Sequence, residues 1–247
     1  MKKAVTGFFM SWGMFCAIPC PLKIWDEDAK LYSVVMLPVL GVVIGLVWAV
    51  LALVLDVISA PWLLSAALLA VCPSLVSGFI HLDGFMDCCD AILSRRDLAE
   101  RQRILKDSHT GAFAVISVVI LFLLNFGAMS DFTDKSVWML LFLPGAARCA
   151  SAISVLSFQP IGHSGYAKAF ENSKKGYRIA AWCILAAFAV LPVIIFGVSG
   201  LFALTAQIAA FLAILYARNQ LGGMSGDISG YGIAIGELVG AVALAVL

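Results

Sequence analysis

Long apolar runs alternate with short polar stretches along the whole chain. About 20 apolar residues cross the hydrocarbon core of a bilayer as one helix, and seven runs of roughly that length occur here. The pattern predicts an all-α, polytopic membrane protein, a bundle of about seven transmembrane helices in a single domain over residues 1–247. The predicted spans are 31–57, 61–80, 111–129, 136–157, 179–197, 201–217 and 231–247.

The first apolar stretch, residues 4–18, is too short to be a further span. Two lysines precede it, Trp12 lies within it, and Pro19-Cys20-Pro21 follows it. Lysine and tryptophan are typical of the membrane surface, so we expect an interfacial or re-entrant segment. No cleavage site of the kind that follows a signal peptide is present.

Composition and charge placement support a membrane protein and suggest its orientation. The chain is 62% hydrophobic and only 13% charged, with a mean hydropathy of +1.02. Basic residues precede the first span and follow the second, fourth and sixth, whereas the opposite loops carry only Lys135. Because basic loops stay in the cytoplasm, we expect a cytoplasmic N-terminus and an outward C-terminus.

Charge and cysteine content narrow the range of partners. The net charge of +1 does not favour a nucleic acid partner, and we expect none. The seven cysteines lack the CxxC spacing of a zinc or redox site. Membrane lipid is the partner that the composition itself implies.

The most distinctive polar cluster follows the second span and contains His81, Asp83, Asp87 and Asp90. If this stretch is helical, offsets of four and three residues put the three carboxylates on one face. Carboxylates are costly beside a membrane unless a cation binds them. Proteins usually hold Mg²⁺ through one or two carboxylates while the ion also binds the phosphates of the substrate. We therefore predict a magnesium site facing the cytoplasm, with His81 as a candidate general base.

A polar segment, residues 91–108, ends in Lys106-Asp107-Ser108 just before the third span. Lys106 can meet phosphates and Asp107 can add a carboxylate near the metal, so we assign these three residues to substrate binding. The arginines earlier in the segment fit plain anchoring on the cytoplasmic side better.

A glycine-rich stretch opens the last span and runs from Gly222 and Gly223 through Ser225 and Gly226 to Asp227. Glycines let the backbone approach a ligand closely, and N–H groups at a helix start attract phosphate. This predicts a phosphate-binding turn, with Asp227 as a fourth metal ligand. A flexible turn with Asp227 as a helix cap is the simpler alternative.

Two charges lie inside predicted spans at matching depth. Arg148 is nine residues from the cytoplasmic end of the fourth span, and Glu237 is ten residues beyond Asp227, or about 15 Å along a helix. Ionisable groups in lipid usually pair or line a cavity. An ion pair that locks two helices and a contact with substrate are both open for this pair.

Two smaller features complete the set of candidates. Gly41 and Gly45, at GxxxG spacing in the first span, predict close helix packing. His163, in the loop after the fourth span, is a further candidate for substrate contact.

Taken in order, the motifs resemble the cobalamin synthase family, the adenosylcobinamide-GDP ribazoletransferases, over nearly the whole chain. Three ordered motifs are far more specific than any one of them. The matching stretches are His81-Leu-Asp-Gly-Phe-Met-Asp-Cys-Cys-Asp90, Ile104-Leu-Lys-Asp-Ser108 with Gly111, and Gly222-Gly-Met-Ser-Gly-Asp227 with Gly230 and Glu237.

The resemblance implies an integral transferase of the prokaryotic cytoplasmic (inner) membrane. This enzyme would use Mg²⁺ and act on adenosylcobinamide-GDP and α-ribazole or its 5'-phosphate. A ribose hydroxyl of α-ribazole would attack the phosphorus on the cobinamide side of the GDP diester. GMP would leave, and adenosylcobalamin or its 5'-phosphate would form. A homo-oligomer and an association with other late enzymes of the cobalamin pathway both stay open.

Together, the residues and the resemblance predict one active site. Its metal ligands are Asp83, Asp87, Asp90 and Asp227, which are also its catalytic residues with His81. Its substrate-binding residues are Lys106, Asp107, Ser108, Gly222, Gly223, Ser225, Gly226, Arg148 and Glu237.

Two other classes of protein compete with this interpretation. A membrane phosphotransferase of the CDP-alcohol type also uses spaced aspartates after an Asp-Gly pair, but with a longer spacing between the pairs. An ion-coupled transporter would explain many spans and deep charges, yet transporters place their acids near the midplane in broken helices. Here the acids fall mostly at the cytoplasmic boundary.

Overall fold

The structure is a computed structural model and describes residues 2–130, 132, 136–162 and 175–247. Helices account for nearly all of these residues, as the apolar runs predict. The α-helices are α1 (Lys2–Phe15), α2 (Lys30–Val35), α3 (Leu37–Val57), α4 (Trp62–Val76), α5 (Ile80–Leu93), α6 (Leu98–Ile104), α7 (Ala112–Ser130), α8 (Leu143–Ser157), α9 (Lys175–Phe196), α10 (Leu201–Leu221) and α11 (Gly226–Val246). Short 3₁₀ turns precede α2 (Glu27–Ala29), α8 (Val137–Leu141) and α10 (Gly197–Gly200).

Five helical stretches of the described chain are long and apolar enough to cross a bilayer, and α4 with α5 adds a sixth if that bent pair is one span. One of the five, Lys175–Leu221, is 47 residues long, about 70 Å as a straight helix. It folds back at Gly197–Gly200. The amide of Gln207, after this turn, donates to the carbonyl of Leu185, before it, at 3.0 Å. Its two halves, α9 and α10, therefore correspond to two predicted spans.

The second predicted span, 61–80, is not one continuous helix. It is α4, a bend of 92° and then the start of α5. Pro73 lies in the last turn of α4, and Gly78 and Phe79 both adopt positive φ angles of 64° and 61°. A proline lacks the N–H that continues a helix, so the local sequence favours a break here. The break gives α5 a direction of its own.

Helix α8 forms the centre of the molecule, where every residue from Leu143 to Leu156 is buried. Most of its side chains are small, which lets neighbouring backbones come very close. A Cβ atom on Gly41 of α3 would lie 2.5 Å from the Cα of Gly145, and one on Gly45 would lie 2.5 Å from the carbonyl of Leu141. Packing through small residues is how membrane helices associate, and the predicted role of Gly41 and Gly45 is confirmed.

The N-terminal stretch forms α1, which packs along α2. A Cβ atom on Gly7 would meet the side chain of Tyr32 at 2.4 Å. The indole of Trp12 donates to the carbonyl of Ile18 at 2.9 Å. The residue before Ile18 bonds to α4, since the N–H of Ala17 donates to the carbonyl of Val76 at 2.8 Å. The segment is thus fixed beside the bend that starts α5.

The orientation predicted from the basic loops can be tested by labelling. We expect a membrane-impermeant maleimide to reach Ser59→Cys in intact cells and Ser94→Cys only after the membrane is opened. The background should lack the exposed Cys183 and the partly buried Cys16 and Cys20. Labelling of Ser94→Cys in intact cells would reverse the orientation and place the acidic helix outside.

Candidate active site

Three acids of the candidate site share one face of α5. Asp83, Asp87 and Asp90 lie in a helix over Ile80–Leu93, so the predicted helical geometry is confirmed and their offsets align them. Asp83 is exposed, whereas Asp87 and Asp90 are partly buried. The face therefore presents its carboxylates at the boundary between packed protein and solvent.

A fourth acid reaches this face because two backbones touch. A Cβ atom on Gly84 of α5 would lie 2.7 Å from the Cα of Asp227, and one on Gly230 of α11 would lie 2.8 Å from the carbonyl of His81. Real Cβ atoms do not come so close to backbone, so each position needs glycine. The two glycines bring the first turn of α11, with partly buried Asp227, against the acidic helix.

The cluster carries negative charge that no basic side chain of the described residues offsets. Asp87 is repelled by Asp83, Asp227 and Asp90, and Asp83 also repels Asp227. Among the described residues, none of the four carboxylates forms an ion pair with a lysine, arginine or histidine. Such an arrangement favours binding of a cation.

Asp90 has a structural role that the sequence did not reveal. Its two carboxylate oxygens accept the N–H groups of Gly111 at 2.6 Å and Ala114 at 2.9 Å. It therefore caps the start of α7, where unpaired N–H groups need an acceptor. A Cβ atom on Gly111 would lie 2.6 Å from this carboxylate, so glycine is needed for the contact.

The glycine-rich turn 222–226 is partly used by the fold itself. Gly222 ends α10 with a positive φ of 81°, and the N–H groups of Gly222 and Gly223 both donate to the carbonyl of Arg218. The N–H of Met224 donates to Gln159 at 2.8 Å. Three amides that were candidates for phosphate binding are thus already paired.

The beginning of α11 keeps the features expected of an anion site. Ser225 caps the helix by accepting the N–H of Ile228 at 3.2 Å, and its hydroxyl lies 3.3 Å from the Asp227 carboxylate. The N–H groups of Gly226 and Asp227 make no hydrogen bond with other described residues. These first-turn amides sit at the positive end of the helix dipole.

Helix α6 lies over the end of α10 and positions the residues that follow it. Arg101 bonds to the side chain of Gln220, and the amide of Gln102 donates to the carbonyl of Leu221 at 2.8 Å. The arginine was expected to be a simple anchor, and sequence spacing offered no signal for a contact between segments so far apart. Lys106 follows α6 and is exposed.

The other two residues of this predicted trio are exposed as well. Asp107 pairs with His109, whose Nδ1 lies 2.7 Å from the carboxylate. This hydrogen bond, with a second one from the backbone N–H of His109, lowers the pKa of Asp107 below its usual value. Ser108 is exposed. Asp107 is therefore engaged by its own loop, and its contact with a bound metal stays a prediction.

The two deep charges form the predicted pair. A guanidinium nitrogen of Arg148 lies 2.5 Å from a carboxylate oxygen of Glu237 and 2.8 Å from the carbonyl of Pro144. Arg148 is fully buried in α8. One turn further along α8, the hydroxyl of Ser151 meets that of Ser229 and also joins α8 to α11. The polar contacts hold the central helix against the helix that carries Asp227.

His81 lies away from the acidic face. Its ring stacks on Phe15 at 5.8 Å between centroids, and the side chain is buried. Residues two apart on a helix point to nearly opposite sides, so Asp83 faces elsewhere. The structure places His81 with Glu237 around a small internal cavity. The candidate loop residue His163 lies outside the described residues.

The residues present suit Mg²⁺ shared with a substrate. The donors are all carboxylate oxygens, which hard cations prefer. In the described part of the chain, no three histidine, cysteine or acidic side chains lie close enough together to hold an ion by themselves. Mg²⁺ usually takes only one or two carboxylates and completes its shell with water and substrate phosphates, and this arrangement fits that pattern.

Fold and site together define an all-helical membrane protein with an acidic centre at the ends of two packed helices. The model of the family described as cobalamin-5-phosphate synthase matches residues 7–245, and the chain belongs to that family, whose members are transferases of cobalamin biosynthesis. A match of this length decides against the CDP-alcohol phosphotransferase and the transporter.

Curated relatives agree over their full length. A protein of Clostridium botulinum (strain Alaska E43 / Type E3) is 38% identical and covers 97% of each chain. A protein of Clostridium perfringens (strain 13 / Type A) is 37% identical and covers 100% of each. One from Geobacillus sp. (strain WCH70) is 32% identical over 93% of this chain and 91% of its own. All three are named adenosylcobinamide-GDP ribazoletransferase. No solved structure gives a significant match.

The contact between α5 and α11 predicts a strong effect of one methyl group. Gly84→Ala should destabilise the protein by about 1–3 kcal/mol, because the added Cβ meets the Asp227 backbone and overpacks the contact. Gly127→Ala is the matched control, since nothing lies within 4 Å of a Cβ atom there, and alanine favours a helix by about 0.5–1 kcal/mol. Thermal unfolding in detergent measures both, and equal melting temperatures would contradict the close approach.

The ion pair between α8 and α11 can be tested by a double-mutant cycle. Arg148→Met leaves a buried carboxylate without its partner and should cost about 3–5 kcal/mol. Adding Glu237→Gln removes that charge and should restore part of the loss. Melting temperatures of the wild type, both single variants and the double variant give the coupling energy. Strictly additive losses would mean that the two side chains do not interact.

Proposed function

We propose that this protein transfers the adenosylcobinamide phosphoryl group from adenosylcobinamide-GDP to a ribose hydroxyl of α-ribazole or its 5'-phosphate. The P–O bond to GMP breaks as the new P–O bond forms, and the hydroxyl proton leaves with the products or to a base. The names of the full-length relatives support this choice of substrates. The orientation of the site toward the cytoplasm is part of the proposal.

The observation that carries the proposal is the convergence of α5 and α11. Two helix ends bring Asp83, Asp87 and Asp227 together with no basic partner among the described residues. Phosphates and carboxylates repel each other, so a phosphate ester can approach this face only if a cation lies between them. The open N–H groups at the start of α11 supply further positive potential.

One or two carboxylates from Asp83, Asp87 and Asp227 would hold Mg²⁺ together with substrate phosphates, with Asp90 at the edge of the group. When bound, the ion would neutralise the negative charge that develops on the phosphoryl and leaving-group oxygens. The chain's own residues orient the reactants. A carboxylate of the cluster that does not hold the ion would accept the hydroxyl proton, and exposed Lys106 would meet the second phosphate.

A reconstituted reaction tests the activity directly. Detergent-solubilised protein should release GMP and form a completed corrinoid from adenosylcobinamide-GDP, α-ribazole and Mg²⁺. Omitting any of the three should stop both products. Running the reaction with α-ribazole 5'-phosphate in parallel compares the two acceptors. GMP release without a completed corrinoid would indicate hydrolysis and would overturn the transferase assignment.

Substitutions in the cluster test the metal proposal. Asp87→Asn keeps the size of the side chain but removes the charge, so folding should survive while turnover falls roughly a thousandfold. Asp227→Asn should behave in the same way, and both should need more Mg²⁺ for half-maximal rate. Normal turnover of Asp87→Asn at limiting Mg²⁺ would contradict a shared ion.

Asp97 provides the matched control, and Asp90 an intermediate case. The Asp97 carboxylate caps α6 by accepting the N–H of Glu100 at 2.9 Å, and asparagine caps equally well, so Asp97→Asn should be nearly silent. Asp90→Asn can still accept one of its two amides. We expect it to lose some stability and some activity, and we expect higher Mg²⁺ to restore part of the activity but not the melting temperature.

A further inference from the structure

A small polar cavity lies inside the bundle, behind the acidic helix. Its volume is about 20 Å³, and five helices contribute to its wall. Its polar lining comes from Trp48, Ser74, Ser77, His81, Asn125 and Glu237. None of the four clustered acids of the active site lines it, so it is separate from that site.

Two nitrogen atoms of this lining are buried without partners. The Nε1 atom of Trp48 and the Nε2 atom of His81 make no hydrogen bond with the described residues. Their side chains are only 2% and 7% exposed. An indole N–H can only donate, and an imidazole nitrogen donates or accepts according to its tautomer. Buried polar atoms are nearly always hydrogen-bonded, so both atoms call for an acceptor or donor that the described residues do not supply.

The cavity coincides with the bend between α4 and α5. Pro73, Ser74 and Ser77, from the last turn of α4, lie in its wall, and the Ser77 hydroxyl already donates to the carbonyl of Pro73 at 2.8 Å. In a bilayer, the polar groups freed by a broken helix are satisfied by serine side chains and by ordered water. The bend is therefore the place in this bundle where water is expected.

We propose that the cavity binds one structural water, held by Trp48, His81 and Glu237. The indole N–H donates to the water, which in turn donates to the carboxylate of Glu237 and bonds to the imidazole nitrogen of His81. A cavity needs roughly 10–15 Å³ to hold one water, together with two to four polar partners, and this one meets both conditions.

The water extends the intramembrane ion pair to the acidic helix. Glu237 bonds Arg148 through one oxygen, and the proposed water links the same carboxylate to His81 in the first turn of α5. A continuous polar chain then runs from the central helix α8, through α11, to the start of α5. His81 is a ligand of this water and holds α5 at its bend.

Paired substitutions separate a wet cavity from an empty one. Trp48→Phe removes the donor, so a bound water loses a partner and the melting temperature should fall by about 2–4 °C. Trp12→Phe is the matched control, because its indole makes a known hydrogen bond to Ile18 at 2.9 Å and should show a similar fall. If the cavity is empty, Trp48→Phe loses only packing contacts of the buried ring, and its fall should be strictly additive with that of His81→Phe.

A second cycle asks whether the two nitrogens share one ligand. His81→Phe keeps a ring against Phe15 but removes the nitrogen, and its loss should be less than additive with that of Trp48→Phe. An experimental density map at about 2 Å resolution should show a peak within hydrogen-bond distance of the Trp48 indole nitrogen. Additive melting shifts, or a map with no peak in the cavity, would overturn the proposal.

Discussion

The contact of two helix backbones at Gly84 and Gly230 is the constraint on which the rest of the site depends. Because no side chain separates α5 from α11 there, the first turn of α11 comes to rest beside the acidic face. Two sequence segments that are far apart thus contribute to one charged surface. The bend before α5 serves the same end, since a straight continuation of α4 would carry the acids away from Asp227.

The centre of the bundle follows a different rule from that of a soluble core. Lipid is as apolar as leucine, so membrane helices gain little by burying large side chains and associate through close packing and polar contacts. Helix α8 shows both, with small residues along most of its length and with Arg148 bonded to Glu237. Its position explains why α3, α10 and α11 keep fixed orientations around the site.

Much of this architecture follows from the sequence, and the exceptions have physical causes. Apolar length predicts where helices run, and residue offsets predict that Asp83 and Asp87 align. Hydropathy shows that a segment is apolar but not in which direction its helix runs. The bend within 61–80 was therefore not predicted, although Pro73 and Gly78 lie in that stretch. The pairing of Asp90 with the start of α7 joins residues 21 and 24 positions apart, and no local pattern predicts it. The pairing of Arg148 with Glu237 could be predicted because both spans start at the same membrane surface. The number of residues from that surface then gives the depth of each charge.

The contact between α5 and α11 also sets an order of events during biosynthesis. The acidic helix α5 is synthesised more than 100 residues before α11, because the two helices span Ile80–Leu93 and Gly226–Val246. Until then the carboxylates of α5 lack the neighbour that packs against Gly84, and the first turn of α5 has no cover. The site therefore cannot be complete before α11 has been inserted and has packed against α5.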